Sequence, residues 1–189
     1  MTFNLQDIKT ENGHAVPDCI SALQKSIRRG NLEDAVYFAV ELDITGYGNY
    51  VWKRLRIICS EDIGLAENLA PSIRALNDSW LEAKKGKHTG DTGERLFLVH
   101  AIALLSSAKK SRMIDNLTIC AYSGLLAKRD IPDYAYDKHT RRGKELGRGL
   151  DHFMAVGAHI DNAADIDDPY EEIVRNHKGS HNNGQLELL

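Results

Sequence analysis

A chain of 189 residues with 42% hydrophobic and 27% charged side chains has the make-up of one globular domain with polar sequence to spare, which excludes global disorder. A net charge of −3 excludes a protein that grips nucleic acid through its overall field, though not one with a local basic patch. No apolar run approaches membrane-spanning length and Met1 to Asn4 shows no signal-peptide pattern; with Cys19, Cys59 and Cys120 read as reduced thiols, a cytoplasmic protein without membrane association is expected. In chain order, residues 1–16 are polar and expected to be a flexible N-terminal segment. Pro17, suited to a first helical position, opens a predicted helix that runs to Arg29 and stops at Gly30. Asn31 is placed to cap the next, from Leu32 to about Ile44, which ends at Gly46. Asn49 is placed to cap a third helix through the basic stretch that follows Val51. A fourth is predicted from about Glu67 to Lys85 with Pro71 in its first turn, then a polar loop over 84–93. The helix from Asp91 or Thr92 to Ala108 carries Leu96, Phe97, Val99, Ile102, Leu104 and Leu105 around most of its circumference and is expected at the centre of the core. Arg112 to Lys128 forms a sixth, and an amphipathic helix is predicted around Leu150 to Val156. Without strand-like alternation or internal repeats, the fold class is all-α, a helical bundle.

The third helix, continuing as WKRLRIICSEDIGLAE from Trp52 to Glu67, has an unusual charge order. Val51, Leu55 and Ile58 form one apolar stripe, and Trp52, Leu55 and Cys59 a second. Lys53, Arg54 and Arg56 lie near its start, while Glu61 and Asp62 lie at its end before Gly64. That order opposes the helix macrodipole, which favours anions at the N-terminus and cations at the C-terminus. Compensation is expected from a neighbouring helix start, an arginine or another subunit.

The same residues carry a family resemblance. Ser60-Glu61-Asp62-Ile63-Gly64-Leu65-Ala66 after a basic-apolar helix resembles a hallmark of the C-terminal region of RarA/MgsA-type, clamp-loader-related AAA+ ATPases. The block Ile20 to Arg28 followed by Asp34 to Phe38 agrees with it, as does Glu94 to Lys110, which resembles that family's long helix ending in a Lys-Ser turn, here Lys110-Ser111. The ordered blocks cover about residues 17–126. Beyond Arg129 the likeness loosens: Tyr134 to His139 resembles a Tyr-Pro-His-Asp segment, without the proline. The resemblance implies a fold like the clamp-loader collar and a role in assembly, as a homotetramer or as partner to a full-length AAA+ ATPase. Lys53, Arg54 and Arg56 would then face acids such as Glu61 and Asp62 across a self-complementary or inter-subunit surface.

No nucleotide cofactor or catalytic residue is expected. A Walker A loop, GxxxxGK[ST], holds phosphates with its amides and lysine. Here Gly86-Lys87 precedes His88 and Gly143-Lys144 precedes Glu145, so neither fits. About 16 residues before the resemblance are too few for a nucleotide-binding domain, so the chain resembles the C-terminal domain alone or an excised piece. His139, His152, His159 and Asp161, and separately Asp165, Asp167 and Asp168, lack a recognised metal-ligand spacing, and no metal site is expected.

Two further segments bear on partners. Arg141, Arg142, Lys144 and Arg148, interleaved with glycines, make the dense basic cluster of the chain and could approach a phosphate backbone; alternatively they pair with the acids around Asp165 to Asp168. Gln185-Leu186-Glu187-Leu188-Leu189 resembles the bacterial sliding-clamp-binding peptide, with Gln185 for a hydrogen-bonding subsite and Leu186, Leu188 and Leu189 for an apolar groove. The expected organisation is a flexible segment 1–16, a collar-like domain 17–128, a basic loop with C-terminal helices packed on that domain over 129–176, and a flexible tail 177–189. The expected function is a non-enzymatic scaffold in DNA replication or recombination, possessing a clamp tether; the alternative is a nucleic-acid-binding accessory protein acting through Arg141 to Arg148.

Overall fold

Helices carry the architecture of the computed structural model, which describes residues 8–85 and 92–176. The all-α class holds: among the described residues the β structure is one isolated antiparallel bridge, Lys9 to Ala15. Contacts divide the chain into two units between Ala127 and Lys128.

The first unit opens with the segment the sequence leaves without structure. Thr10 N–H donates to His14 O (2.8 Å) and Val16 N–H to Ile8 O (3.0 Å), closing a small turn ahead of the first helix. Thr10 is buried, and Asn12 donates through its backbone N–H (3.3 Å) and its side-chain amide to the Glu41 carboxylate. Residues 8–15 are therefore fastened to the helices.

α1 (Val16–Arg29) starts with proline in its first turn and closes on Gly30 in the left-handed conformation, whose N–H donates to Ile27 O (3.0 Å). α2 (Leu32–Leu42) is capped by Asn31, whose side chain accepts from Asp34 N–H (3.3 Å). A π-turn over Asp43–Tyr47, broken at Gly46, leads into α3 (Gly48–Ile58). Asn49 does not cap α3, because the helix has already begun at Gly48, wedged against Asp43 and Trp80. A second π-turn, Cys59–Ile63, follows without a break. α4 (Ala70–Lys85) begins three residues later than expected, with Pro71 still in its first turn. α5 spans Glu94–Ser107 and α6 only Met113–Tyr122.

α1 lies along α2 and α4 along α5, while α3 touches all four. Every residue of the two predicted stripes on α3 is buried, and Trp52 meets Trp80 of α4 with ring centroids 5.9 Å apart. α5 differs from expectation. Leu98, Ala101, Ile102 and Leu105 are buried, but Leu96 is 74% exposed and Val99 also faces outward, so the helix packs by one face rather than all round. α6 buries none of its residues.

In the second unit a 3₁₀ turn (Asp133–Ala135) precedes the short helices α7 (Arg141–Glu145) and α8 (Leu150–His152). α8 continues as a π-turn to Gly157, matching the helix predicted around Leu150 to Val156, and α9 spans Glu171–Asn176. Arg141 to Glu145, expected as loop, is helical because Thr140 caps it, accepting from Gly143 N–H (2.9 Å).

Candidate functional site

The three sequence blocks that carried the resemblance converge on Asp62. Its side chain is 0% exposed. Arg28 of α1 donates through Nε to Oδ1 (2.6 Å) and through Nη2 to Oδ2 (3.3 Å), and Gln24 Nε2, one turn earlier, donates to Oδ2 (3.0 Å). The backbone carbonyl of Asp62 accepts from Ser111 N–H (2.9 Å), in the turn after α5. The Asp62 carboxylate holds the Arg28 guanidinium above its ordinary pKa, against a smaller opposing effect of burial. Of the compensations the reversed charge order called for, the arginine is present within the chain.

Glu61 shares the arrangement, accepting from Arg28 Nη2 (3.0 Å) and lying 3.9 Å from Arg112, which also pairs with Asp115 of α6. Lys110 donates from Nζ to Ser106 O (3.0 Å) and Ala108 O, closing the last turn of α5. Burial pushes its pKa down, partly offset by Glu67 and Asp62. Within the motif Gly64 turns the chain with φ 53°; a Cβ there would stand 3.1 Å from Ile114 Cγ1 of α6.

The structure thus divides the residues predicted for an interface. Asp62 lies inside the chain and cannot face the basic helix of another copy as expected, because burying it requires the arginine it already holds. Lys53, Arg56 and Glu61 remain together, lining a groove of about 470 Å³ with Ile57 of α3 and Ile114 and Asp115 of α6. Arg54 points to another flank, into a cleft against α1. Lys53, Arg54 and Arg56 form no ion pair among the described residues. Sequence reasoning missed α6 as a surface: Met113, Leu117, Ile119 and Tyr122 are all exposed beside the groove. The signal was available, since Met113, Ile114, Leu117, Ile119 and Tyr122 spread round this short helix, more apolar surface than one buried face takes up.

The basic cluster resolves differently. Arg148 donates through Nη1 to Asp133 O (2.7 Å) and Tyr136 O (2.9 Å) and pairs through Nη2 with the Asp133 carboxylate (2.8 Å), so it braces its own unit. Arg141 and Arg142 both pair with Glu145 (3.0 and 3.5 Å), not with the acids at Asp165 to Asp168. Lys144 is exposed on the same short helix. Cys19 and Cys59 are buried free thiols pushed up by that burial, and Cys120 is half-buried. The clamp-like residues Gln185, Leu186, Leu188 and Leu189 lie outside the described residues.

A family model described as MgsA AAA+ ATPase C terminal matches residues 30–163. The chain belongs to this family. It is similar to the replication-associated recombination protein A of Bacillus subtilis, 32% identical over 146 residues that make up 75% of this chain and 33% of that protein. The protein of the same name from Haemophilus influenzae is 33% identical over 153 residues, covering 77% of this chain and 32% of its own length. The Escherichia coli K12 protein is 34% identical over 147 residues, with coverages of 73% and 30%. The chain therefore spans about a third of the length of the curated relatives it matches. Within the MgsA C-terminal match, the Ser60-to-Ala66 motif is accounted for by structure: Asp62 and Glu61 lock α1, Ile63 is buried, and Gly64 turns the chain beneath α6.

Proposed function

We propose that this MgsA C-terminal domain is a non-enzymatic assembly domain serving a AAA+ system in DNA replication or recombination, and that it associates as a homotetramer or docks on a full-length ATPase of its family. The observation that carries the reading is α6, whose Met113, Leu117, Ile119 and Tyr122 are exposed beside a groove lined by Lys53, Arg56 and Glu61 from α3 and its π-turn and by Asp115 from α6. An apolar centre flanked by both signs of charge is a self-complementary surface, as a symmetric contact requires. Light scattering after size exclusion tests it: a particle of four times 21.1 kDa at low salt that loosens at high salt is expected, and dissociates on Leu117→Glu. A monomer at micromolar concentration overturns the homotetramer; failure to bind a full-length family ATPase as well overturns assembly.

Two narrower parts accompany this reading. The Gln185-to-Leu189 peptide would tether the assembly to a sliding clamp, several copies raising avidity without new contacts. Deleting those five residues should abolish binding to the cognate clamp, and unchanged binding removes the idea. Nucleic-acid contact through α7 is the second reading, favoured by Arg141 (side chain 94% exposed) and Arg142 sharing the single carboxylate of Glu145, which leaves a positive excess with Lys144. Arg141→Glu with Arg142→Glu should then lower DNA affinity while leaving the particle mass unchanged. Equal affinity in the double variant removes it.

A further inference from the structure

On another flank of α3 lies a cavity that the assembly surface does not use. It encloses about 260 Å³ between α1 and α3, lined by Ser21, Gln24, Lys25, Arg28 and Arg54 over an apolar floor of Pro17 and Ile20. No carboxylate lines it. Glu61 and Asp62 neutralise Arg28 from elsewhere, which leaves Lys25 and Arg54 as positive charges without a counter-ion among the described residues. Lys25 Nζ rests on Ser21 Oγ, a neutral partner.

Arg54 is the decisive residue. Its side chain lines the cavity, half-buried, and makes no ion pair among the described residues. The cavity falls just short of the ~300–1,000 Å³ typical of sites for drug-sized ligands, yet exceeds several-fold a water's share of about 30 Å³. An arginine fork beside a lysine ammonium is the donor set that suits a phosphate group, and two uncommitted positive charges balance the roughly −1.5 to −2 carried by a phosphate monoester.

We infer that the α1–α3 cleft is a phosphate-binding site, with Arg54 and Lys25 as its principal donors and Ser21 and Gln24 at its rim. The phosphate can belong to a free anion or to a nucleic-acid backbone; the chemistry at Arg54 is shared. The site is separate from the assembly surface, so its failure leaves that reading untouched.

The test follows the Arg54 Nε–Hε signal by ¹⁵N-resolved NMR in the full chain, with inorganic phosphate, sodium chloride of equal ionic strength, and a short single-stranded oligothymidylate as probes. A saturable shift with phosphate that chloride does not reproduce supports the site. If the oligonucleotide produces the same shift at lower concentration, and phosphate competes it away, the phosphate is a strand's. If phosphate saturates the signal and the oligonucleotide leaves it unmoved, the ligand is a free phosphate. Arg54→Gln is expected to weaken binding by about tenfold or more, and Arg54→Lys by less. Because the primary signal is read on the unaltered chain, a variant that folds poorly does not obscure the result. Shifts that match those in chloride, or none with either phosphate probe, overturn the inference.

Discussion

Asp62 places a carboxylate where water does not reach, and its donors arrive from α1 while its own backbone carbonyl receives Ser111. Removing the side chain leaves Arg28 and Gln24 without their acceptor. Asp62→Ala should cost about 3 kcal/mol in urea unfolding, the low end for a broken buried pair, because Arg28 keeps Glu61 and some solvent. A loss below about 1 kcal/mol would match an exposed pair instead and contradict the role given to burial. Glu41 offers a pH test. Burial of this residue, 3% exposed, raises its pKa, but donors from Thr10 and Asn12 and the nearby His14 outweigh that and bring it below the ordinary 4.5. A depressed carboxylate stabilises the fold above its unfolded pKa and loses that contribution as pH falls through the folded one. The stability gap between the native chain and Glu41→Gln should therefore be full at neutral pH and close on acidification; a gap independent of pH would contradict it. Among the thiols, Cys19 and Cys59 are buried with pKa values pushed up, so Cys120 should react with a maleimide well before either.

At the scale of elements, the turn at Gly64 sets where α6 can lie. With φ 53° and Ile114 at the position a Cβ would crowd, Gly64→Ala should destabilise by about 2 kcal/mol. A neutral effect, measured by urea unfolding, would mean that α6 moves aside without cost. Much of the helix plan was legible because its signals are local: Pro17 and Gly30 bracket α1, Asn31 caps α2 and Pro71 opens α4. Where the decisive contact is distant, the reading failed. Asn49 looks like a cap until Trp80 and Asp43 are seen to close around Gly48. The partner of Asp62 lies 34 residues away on another helix, so an intramolecular pair and an intermolecular one read alike. The pairing of Arg141 with Glu145 was different: a four-residue spacing on one short helix, visible in the sequence once that stretch is taken as helical rather than loop.

For the whole molecule, the boundary between Ala127 and Lys128 falls in a stretch from 121 to 135 in which every residue is exposed. Limited trypsin treatment should cut at Lys128 or Arg129 well before any site within α1, α3 or α5, since cleavage follows exposed, weakly held backbone. Equal rates at the helical sites would contradict the two-unit division. The Asp62 pair also has a kinetic meaning. It joins segments 34 residues apart, and it can form only after α1 and the turn following α3 have docked. We predict that this pair is absent from the folding transition state, in which case its loss falls mainly on the unfolding rate. The motif would then act as a latch on lifetime: Asp62→Ala chains should fold at nearly the native speed but open far sooner.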